Sequence, residues 1–433
     1  MVIKMEHNVQ NICRSGLCTG CGTCKSICPT SAINIKISRG NYAIHVDQDL
    51  CNKCGLCLKV CPGHQVNFKE IVEFNGLGPN ITETIGSYSK CYIGHSTDEE
   101  IRYNSSSGGL VTQLLLYALD EGIITGALVT RMSDDNPFEA EVFLARTRDQ
   151  VIEASGSKYC PVAVNTALEI IMQSRSNEKF AVVGLPCHLH GIRKYEMINP
   201  KLREKIVLHL GLFCSSGKTF LATDYQLHKM GIGKVDVKKI AYRGSGWPGS
   251  FSVETKSGKL FTESHHEYYN DIFSSFTPWR CTLCVDETAE LADSSFGDAW
   301  LPNLEKDDRL GTSLIITRNT LTEKLLESMH EKGILHLSRI DISSVSQSQG
   351  NATRKRLFNS RCTISKYMFL KHCPKYSYEL TNKSLINYII SLNVYLKIIL
   401  TQRRTTWGLL AIYCNFIRAI RKVNGEIKKL IIH

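Results

Sequence analysis

The sequence predicts a multidomain protein of the mixed α+β and α/β class, with a cysteine-rich N-terminal domain, an α/β body and a basic helical tail. Three observations predict this organisation. Eight of the 18 cysteines lie in two similar loops near the N-terminus, strand-like and helix-like segments alternate through the middle, and basic residues dominate the end. A chain of 433 residues is long enough for two or three domains.

The two cysteine loops share the spacing C-x2-C-x2-C-x3-C-P, and each ends in a proline, Pro29 or Pro62. This is the spacing of bacterial two-cluster ferredoxins, in which the fourth cysteine of each loop binds the other 4Fe-4S cluster. We therefore expect a ferredoxin-type domain over residues 1–70 with two ligand sets. They are Cys18, Cys21, Cys24 and Cys61 for one cluster, and Cys28, Cys51, Cys54 and Cys57 for the other.

The alternative for these loops is zinc, which usually takes its four ligands as two separated pairs. Two quartets that each end in Cys-Pro favour iron–sulfur clusters instead. Cys13 fits neither quartet, so we interpret it as a bystander. Between the loops, residues 32–37 and 41–46 alternate like short strands around a turn.

The composition indicates where the protein works and which partners it lacks. The N-terminus has neither the apolar segment nor the cleavage pattern of a secretory signal, so we expect a cytoplasmic protein whose cysteines serve metal or redox chemistry and not disulfides. The net charge is +11, but residues 351–433 hold 16 basic residues against Glu379 and Glu426, leaving 36 basic and 39 acidic residues elsewhere. The whole protein therefore gives no support for nucleic-acid binding.

The middle of the chain alternates between strand and helix. Residues 64–90 form a predicted connector. Ser105–Gly109 is a polar loop before an apolar helix, and residues 126–132 resume as a strand. The apolar runs that begin at Phe180 and Lys205 are each followed by a turn and a helix, which predicts an α/β body.

A third set of cysteines lies in this body. Cys187 and Cys214 each follow a strand, where open α/β sheets place their ligand sites. Cys281 and Cys284 form a CxxC pair. If the loops converge, these four thiols supply a third cluster. The alternative is that Cys187 and Cys214 are small buried residues, and the spacing alone does not choose between the two.

Two glycine-rich stretches resemble nucleotide motifs without fitting them. Gly211–Thr219 has five residues between its glycines where a P-loop has four. Gly244–Gly249 matches GxGxxG, but it contains Pro248 and precedes a strand-like sequence, which is not the Rossmann context. We interpret the second stretch as a rigid turn near a ligand.

Six motifs occur in a characteristic order. They are SSSGGL (105–110), GSKY (156–159), GLPC with GIRK (184–194), GLFC (211–214), YRGSGWPG (242–249) and CTLCVDETAELADSSFGDAW (281–300). Over roughly residues 1–345 this order resembles the beta-subunit family of coenzyme F-420-reducing hydrogenase and formate dehydrogenase, which includes plant hydroxymethyl-chlorophyll reductase. The two histidines in CHLH (187–190) depart from the hydrogenase subunits and resemble stand-alone relatives.

The resemblance implies a body in two parts, 89–175 and 176–345, that holds FAD beside a 4Fe-4S cluster. It implies that the cluster ligands are Cys187, Cys214, Cys281 and Cys284. It also implies flavin contacts at Ser106, Ser107, Gly108, Gly109, Gly156, Ser157, Lys158, Tyr159, Arg243, Gly244, Trp247, Gly249, Gly297 and Asp298. Lys158 and Arg243 are candidates for charge near the flavin, with a plain surface cation as the alternative for each. Cys160 is a reserve ligand, and we interpret His188 and His190 as helix-start or surface residues.

The implied function is an iron–sulfur flavoprotein oxidoreductase. Electrons would pass between a hydride carrier, coenzyme F-420 or a substitute, and the 4Fe-4S clusters through FAD, which handles both one and two electrons. The expected partner is a redox protein or a small-molecule hydride donor or acceptor, and no side chain stands out as a catalytic acid or base. One alternative is a non-enzymatic electron-transfer subunit that docks a redox protein; another is direct reduction of a small organic substrate.

The tail, residues 351–433, lies beyond the resemblance. Ser384–Leu400 and Thr405–Ile420 are apolar helix candidates, each short or interrupted for a membrane span of ~20 residues. Packing against the body or a partner is one interpretation. Peripheral membrane contact through an interfacial helix is the other. Cys362, Cys373 and Cys414 have no metal spacing.

Overall fold

The computed structural model describes residues 8–349, 352–369, 371–378 and 384–431. Residues 1–7 of the predicted N-terminal domain lie outside the described residues. The same holds for residue 351 and Glu379 of the predicted tail.

The N-terminal domain places a β-hairpin beside the two cysteine loops. Its elements are α1 (Gln10–Arg14), α2 (Thr23–Ser26), β1 (Ile33–Ser38), β2 (Asn41–Val46) and α3 (Leu56–Lys59). The strands pair antiparallel around Arg39 and Gly40, which have φ values of 50° and 74°, as the alternation predicts. Ile33, Ile44 and Val46 pack against the cysteines, so the apolar face of the hairpin forms the floor of the loops.

The predicted connector contains more regular structure than expected. Its elements are β3 (Gln65–Val66), α4 (Phe68–Asn75), β4 (Asn80–Thr82) and β5 (Gly86–Tyr88). Asn67 begins α4 by accepting a hydrogen bond from the backbone nitrogen of Glu70 at 3.4 Å. Gly76 ends the helix in the left-handed conformation, with φ at 60°. The turn residues of this segment therefore stop a helix whose Phe68 and Ile71 are buried.

The body is built around one eight-stranded mixed sheet. In its first half lie β6 (Cys91–Ser96), α5 (Glu99–Asn104), α6 (Leu110–Asp120), β7 (Gly126–Met132), β8 (Ala140–Ala145), α7 (Arg148–Glu153), α8 (Leu168–Gln173), β9 (Phe180–Gly184), α9 (Pro186–Glu196), α10 (Pro200–Lys205), β10 (Ile206–Leu212) and α11 (Phe220–Lys229). In its second half lie β11 (Val237–Ala241), β12 (Ser250–Thr255), β13 (Leu260–Ser264), α12 (His265–Tyr268), α13 (Asp271–Ser275), α14 (Trp279–Thr282), β14 (Ser294–Asp298), α15 (Pro302–Asp307), β15 (Ser313–Thr317), α16 (Thr320–Glu331), β16 (Leu335–Arg339) and α17 (Ile342–Gln349).

The strand order explains how the body positions its loops. The order is β16-β6-β15-β14-β10-β9-β7-β8, in which β7, β9, β10 and β14 are parallel neighbours. Phe180, Val182 and Leu210 are fully buried, as expected for parallel strands covered on both faces. The loops that follow β9, β10 and β14 therefore leave the same edge of the sheet. The strand-like sequence after residue 249 forms the hairpin β12–β13, which joins β11 in a separate three-stranded sheet.

The tail packs on the body and the N-terminal domain. Its elements are α18 (Ala352–Phe369), β17 (Lys375–Tyr376), α19 (Leu385–Thr401) and α20 (Trp407–Ile431). The two apolar segments are helical, as predicted, and β17 pairs in parallel with β3. Among the described helices, none combines the length and apolar content needed to cross a membrane. Cys362 and Cys373 form a disulfide, which differs from the expectation of reduced thiols.

Candidate functional site

Each predicted ligand set of the N-terminal domain lines its own cavity. Cys18, Cys21, Cys24 and Cys61 line what we call the first cavity. Cys28, Cys51, Cys54 and Cys57 line the second cavity. Each cavity thus takes three cysteines from one loop and the fourth from the other, which is the crossed arrangement that the spacing predicts.

Glycines let the loops wrap around these cavities. Gly22 and Gly55 have φ values of 91° and 74° and begin α2 and α3, so that Cys24 and Cys57 lie in the first helical turns that follow. Residues other than glycine rarely adopt this backbone conformation. Gly22 is also needed for packing, because a Cβ atom there would lie 2.7 Å from Cγ2 of Thr166 in the body.

The electrostatic environment of the thiols in the first cavity favours metal binding. Burial raises the pKa of Cys24 well above its usual value, and the neighbouring Cys21 and Cys61 raise it further. Burial also raises the pKa of Cys61 to about 11. Thiols held together in this way ionise readily only when a metal compensates their charge, so the donor set fits a cluster. Cys13, predicted as a bystander, lies beside Cys18 and accepts a hydrogen bond from the backbone nitrogen of Ile44 at 3.2 Å.

Four further thiols converge in the body, and we call Cys187, Cys214, Cys281 and Cys284 the body thiols. Burial raises the pKa of Cys187, and the other three body thiols, together with Cys21 of the first cavity, raise it further. The backbone nitrogen of Cys214 donates to the oxygen of Glu287 at 2.8 Å, which ties the loop after β10 to the CxxC loop. This convergence favours the ligand interpretation over that of isolated buried cysteines.

The body thiols are not arranged as the ligands of a single metal ion. In the part of the chain that the structure describes, no three His, Cys, Asp or Glu side chains are placed to bind one metal ion together. A 4Fe-4S cluster binds each thiolate through a different iron atom, so its ligands stand farther apart than those of a single ion.

The tail packs against the loop that carries Cys281 and Cys284, a contact that the motifs do not indicate. Arg361 donates from Nη1 to the oxygen of Thr282 at 3.0 Å, and Tyr376 donates from its hydroxyl to the oxygen of Leu283 at 3.1 Å. Arg354 is buried beside the same loop: burial opposes its charge, but Cys284, Glu287, Cys214 and Cys281 raise its pKa overall. Two arginines seven residues apart on one helix share a face, which is the sequence signal that points to this contact.

The four loops with predicted flavin contacts meet beside the body thiols. We call them the cofactor loops: residues 105–109, 156–159, 243–249 and 297–298. Arg243 connects all four, because its guanidinium donates to the oxygen of Ser106, to the hydroxyl of Tyr159 at 3.2 Å and to the carboxylate of Asp298 at 3.2 Å. Trp247 donates from Nε1 to the same carboxylate at 2.9 Å. Ser157 donates from its backbone nitrogen to Oγ of Ser106 at 2.7 Å.

Glycines at this site serve close packing. A Cβ atom on Gly108 would lie 2.6 Å from the oxygen of Gly94, and one on Gly297 would lie 2.2 Å from the ring of Phe213. Gly244 and Gly249 adopt φ values of 122° and 84°. Gly109 caps α6 with φ at 76°, and Gly156 has φ at 78°.

The loop that contains Ser107 is held by Thr312 and Ser313, which the motifs do not include. Ser107 Oγ donates to the oxygen of Thr312 at 3.1 Å, and Ser313 Oγ accepts from the nitrogen of Gly108 at 3.0 Å.

Aromatic rings surround the salt bridge between Arg243 and Asp298. The rings of Trp247 and Trp300 are 4.7 Å apart, and His265 stacks on Tyr269 with ring centres 5.0 Å apart. Burial lowers the pKa of His265 to about 3, with a further contribution from Arg243. His265 is therefore a neutral ring at physiological pH, and the surroundings of the salt bridge are largely aromatic.

Lys158 does not face the salt bridge. Its ammonium donates to the backbone oxygens of Ala154, Ser155 and Gly156 at 2.7 to 3.0 Å, so it caps the end of α7. Of the two predicted cations, Arg243 alone hydrogen-bonds to Asp298. Cys160, the predicted reserve ligand, packs in the core with Tyr242 and Phe251.

Of the two interpretations of His188 and His190, the structure supports the helix-start position and not the surface position. Both lie near the start of α9, as predicted, but they are buried and not on the surface. His188 accepts from the nitrogen of Leu185 at 3.1 Å and lies 3.1 Å from the oxygen of Val162, while His190 lies 2.7 Å from Oδ2 of Asp286. The contact of His190 joins the helix of Cys187 to the loop after Cys284, across 96 positions of sequence.

Comparisons with known proteins match the N-terminal domain and the body, but not the tail. Models of the N-terminal and C-terminal parts of the coenzyme F-420 hydrogenase/dehydrogenase beta subunit match residues 91–169 and 177–343. A model of the 4Fe-4S dicluster domain matches residues 17–64.

Several curated proteins are similar over half or more of their own length. The coenzyme F-420 hydrogenase subunit beta of Methanothermobacter thermautotrophicus is 31% identical over 266 residues, which cover 59% of this chain and 86% of that protein. A subunit of the F-420H2 dehydrogenase of Methanosarcina mazei is 27% identical over 335 residues, covering 76% and 86%. The coenzyme F-420-dependent sulfite reductase of Methanocaldococcus jannaschii is 27% identical over 353 residues, covering 78% and 50%.

A solved structure shares the fold. It is a chain of the F-420-reducing NiFe hydrogenase complex from Methanosarcina barkeri, with a TM-score of 0.53 and 22% identity. The match covers 68% of this chain and 98% of that chain.

Proposed function

Because this chain belongs to the coenzyme F-420 hydrogenase/dehydrogenase beta-subunit family and carries a 4Fe-4S dicluster domain, we propose that it is an iron–sulfur flavoprotein oxidoreductase. In this proposal FAD occupies the cofactor loops, the body thiols hold a third 4Fe-4S cluster, and coenzyme F-420 or a substitute is the hydride carrier. The proposal covers electron transfer in both directions, from the hydride carrier to the clusters and from the clusters to the carrier.

The observation that carries the proposal is the order of the sites in space. On one side of the body thiols, Cys187 neighbours Cys21 of the first cavity. On the other side, the partly buried Tyr269 hydrogen-bonds to Ser215 and has Cys214 and Arg243 among its close neighbours. A cluster on the body thiols would thus lie between the cofactor loops and the ferredoxin domain, where single electrons must pass.

The residues of the cofactor loops fit an aromatic anionic ligand such as FAD. Nε of Arg243 and Oγ of Ser105 are buried without a hydrogen-bond partner in the described residues. The guanidinium charge, held in place by Asp298, suits a phosphate or the pyrimidine edge of a flavin. When bound, FAD supplies the exchange between hydride transfer and single-electron transfer.

The chain's own residues would position and protect this ligand. Asp298 orients both Arg243 and the indole of Trp247 through the hydrogen bonds described above. His265, Tyr269 and Trp300 provide ring surfaces that exclude water, which keeps the electrostatic interactions of Arg243 strong. No hydrogen-bonded acid–base pair aimed at a substrate is needed for hydride transfer, and we assign none.

A redox partner protein is part of the proposal. The similar proteins are named as subunits of a hydrogenase and a dehydrogenase, and one solved relative comes from a hydrogenase complex. Exposed Cys54 lines the second cavity, so an electron at that cavity is accessible to a docked protein. Location in the cytoplasm stays a prediction.

Anaerobic purification with quantification of iron, sulfide and flavin tests the proposal. Three clusters correspond to about 12 iron atoms per chain, and we expect about one FAD. The Cys281→Ser variant should retain about eight iron atoms, whereas Cys160→Ser should retain about 12. Clusters without flavin after reconstitution would favour the non-enzymatic electron-transfer subunit. Reduction by F-420H2, NADPH or reduced ferredoxin, followed by absorbance, then identifies the donor.

A further inference from the structure

The helices α19 and α20 expose apolar side chains that a surface helix normally buries. All of the following have exposed fractions between 41% and 76%. They are Leu385, Ile386, Ile389, Leu396 and Ile399 on α19, and Leu409, Ile412, Phe416 and Ile420 on α20. Exposed apolar residues in such numbers mark an interaction surface.

The face of α19 that meets the protein is largely polar. Asn387, Ser391, Tyr395 and Thr401 are buried. Ser391 donates from Oγ to the oxygen of Asn387 at 2.6 Å, and Tyr395 donates from its hydroxyl to the oxygen of Arg361 at 3.0 Å. The first bond lies within α19, whereas the second ties α19 to α18, so the buried side of this helix is largely polar and its aliphatic side chains face outward.

The exposed side chains of α20 lie three or four residues apart and form one stripe along the helix. Its opposite side is anchored, because Trp407, Leu410 and Cys414 are buried in a core cluster with Phe276. Tyr413 donates to Oδ1 of Asn393 at 2.9 Å and links α20 to α19. Both apolar surfaces thus belong to helices that are held on the body.

The positive charge beside these apolar surfaces indicates which kind of partner binds them. From Ser384 to Gly425 the sequence contains no Asp or Glu, and Arg403, Arg404 and Arg418 are exposed. A second copy of this chain would bring the same arginines together and repel. Anionic lipid headgroups complement both the arginines and the apolar surface between them.

We propose that α19 and α20 form an interfacial anchor that lies on a bilayer containing anionic lipids. With 17 residues, α19 is about 25 Å long, which suits a helix lying in the plane of the interface. This inference does not depend on the proposed redox function.

Vesicle flotation of the full-length protein, prepared anaerobically, tests the proposal. We expect at least about tenfold stronger binding to phosphatidylcholine vesicles that contain phosphatidylglycerol than to phosphatidylcholine alone, with loss of the difference at high salt. The double variant Ile389→Glu and Ile412→Glu should lose binding to both kinds of vesicle. The double variant Arg403→Glu and Arg418→Glu should lose the preference for phosphatidylglycerol. The matched control is Val235→Glu, which places a charge at an exposed apolar position elsewhere and should bind as the unmodified chain does.

All the substituted positions are exposed, so we expect every variant to fold. Circular dichroism and cluster absorbance check this. The proposal is overturned if the folded, unmodified protein does not float with anionic vesicles, or if Val235→Glu reduces flotation as much as the double variant on α19 and α20. It is also overturned if vesicle binding is absent and light scattering shows that the apolar surface joins two copies of the chain. The same holds if vesicle binding is absent and the surface binds an acidic protein.

Discussion

Nδ2 of Asn165 donates to Oγ1 of Thr23 at 2.7 Å and joins the body to the ferredoxin domain. The same nitrogen donates to the oxygen of His188 at 2.9 Å, and the backbone nitrogen of Asn165 donates to the oxygen of Cys21 at 2.9 Å. Asn165 and Thr23 are fully buried. One residue thereby fixes the distance between Cys21 and Cys187, which belong to two different predicted clusters.

Replacement of Gly191 tests this interface. A Cβ atom on Gly191 would lie 2.1 Å from Oγ1 of Thr23 and 3.0 Å from Nδ2 of Asn165. We therefore expect Gly191→Ala to lower the free energy of unfolding by about 1–3 kcal/mol, although alanine normally stabilises a helix interior. Gly408→Ala is the control, because Gly408 also lies in a helix but has open space around it. Anaerobic urea unfolding measures both, and equal stabilities would contradict the described packing.

Arg354 should raise the reduction potential of a cluster on the body thiols, because a buried positive charge favours the state with the added electron. Arg354→Gln is expected to lower that potential by about 59 mV for each 1.4 kcal/mol of lost interaction. An EPR-monitored redox titration measures the change, and the two ferredoxin clusters serve as internal references. Arg356→Gln, at an exposed position of the same helix, should leave all potentials unchanged. A shift of equal size in both variants would show that proximity of Arg354 is not the cause.

Asp298 should be needed for flavin retention. Its carboxylate holds Arg243 and Trp247, and removal of one partner from a buried ion pair typically costs 3–5 kcal/mol. Asp298→Asn is therefore expected to lower bound flavin at least about tenfold at unchanged iron content. Flavin absorbance and iron per chain give the readout, with the exposed Asp307→Asn as the control. Full flavin occupancy in Asp298→Asn would remove the cofactor loops as the binding site.

His265 should make the protein less stable in mild acid. Burial and the nearby Arg243 and His266 lower its pKa to about 3, while Asp298 acts in the opposite direction. Between this pKa and the unperturbed value of about 6.5, the unfolded chain binds more protons than the folded one. The free energy of unfolding should therefore fall by about 2 kcal/mol between pH 7 and pH 5 on account of this group.

The variant His265→Phe keeps a ring at this position and should show a correspondingly weaker dependence on pH. Urea unfolding at the two pH values measures it. His45→Phe, at an exposed position, should retain the full dependence. An identical pH profile for His265→Phe and the unmodified protein would show that His265 is not buried as described.

The ligand sets of the ferredoxin domain follow from the sequence because each set is defined by spacing within two short loops. The family resemblance adds the cofactor loops, whose motif positions Arg243 brings together. The helix at Phe68–Asn75 also has a signal in the sequence: Asn67 followed three residues later by Glu70 is a helix-start pattern, which the turn residues after it obscure.

Other features depend on contacts that no local pattern records. His190 contacts Asp286 across 96 positions of sequence, and the residues next to either one in the sequence do not predict this contact. The apolar residues of the tail predict its helices. They do not predict which face of α19 is buried, because its polar face is anchored by distant groups such as the backbone oxygen of Arg361.

The contacts that α18 and β17 make with the CxxC loop bear on how the proposed body cluster is assembled. Ribosomes make the chain in order, so Cys187, Cys214, Cys281 and Cys284 are all synthesised before Arg354, Arg361 and Tyr376. An iron donor can therefore reach the thiols on the nascent chain while their loops are still open. Once α18 has packed against the CxxC loop, the body thiols are only partly exposed, so insertion of the proposed cluster should be faster before this last stage of folding than after it.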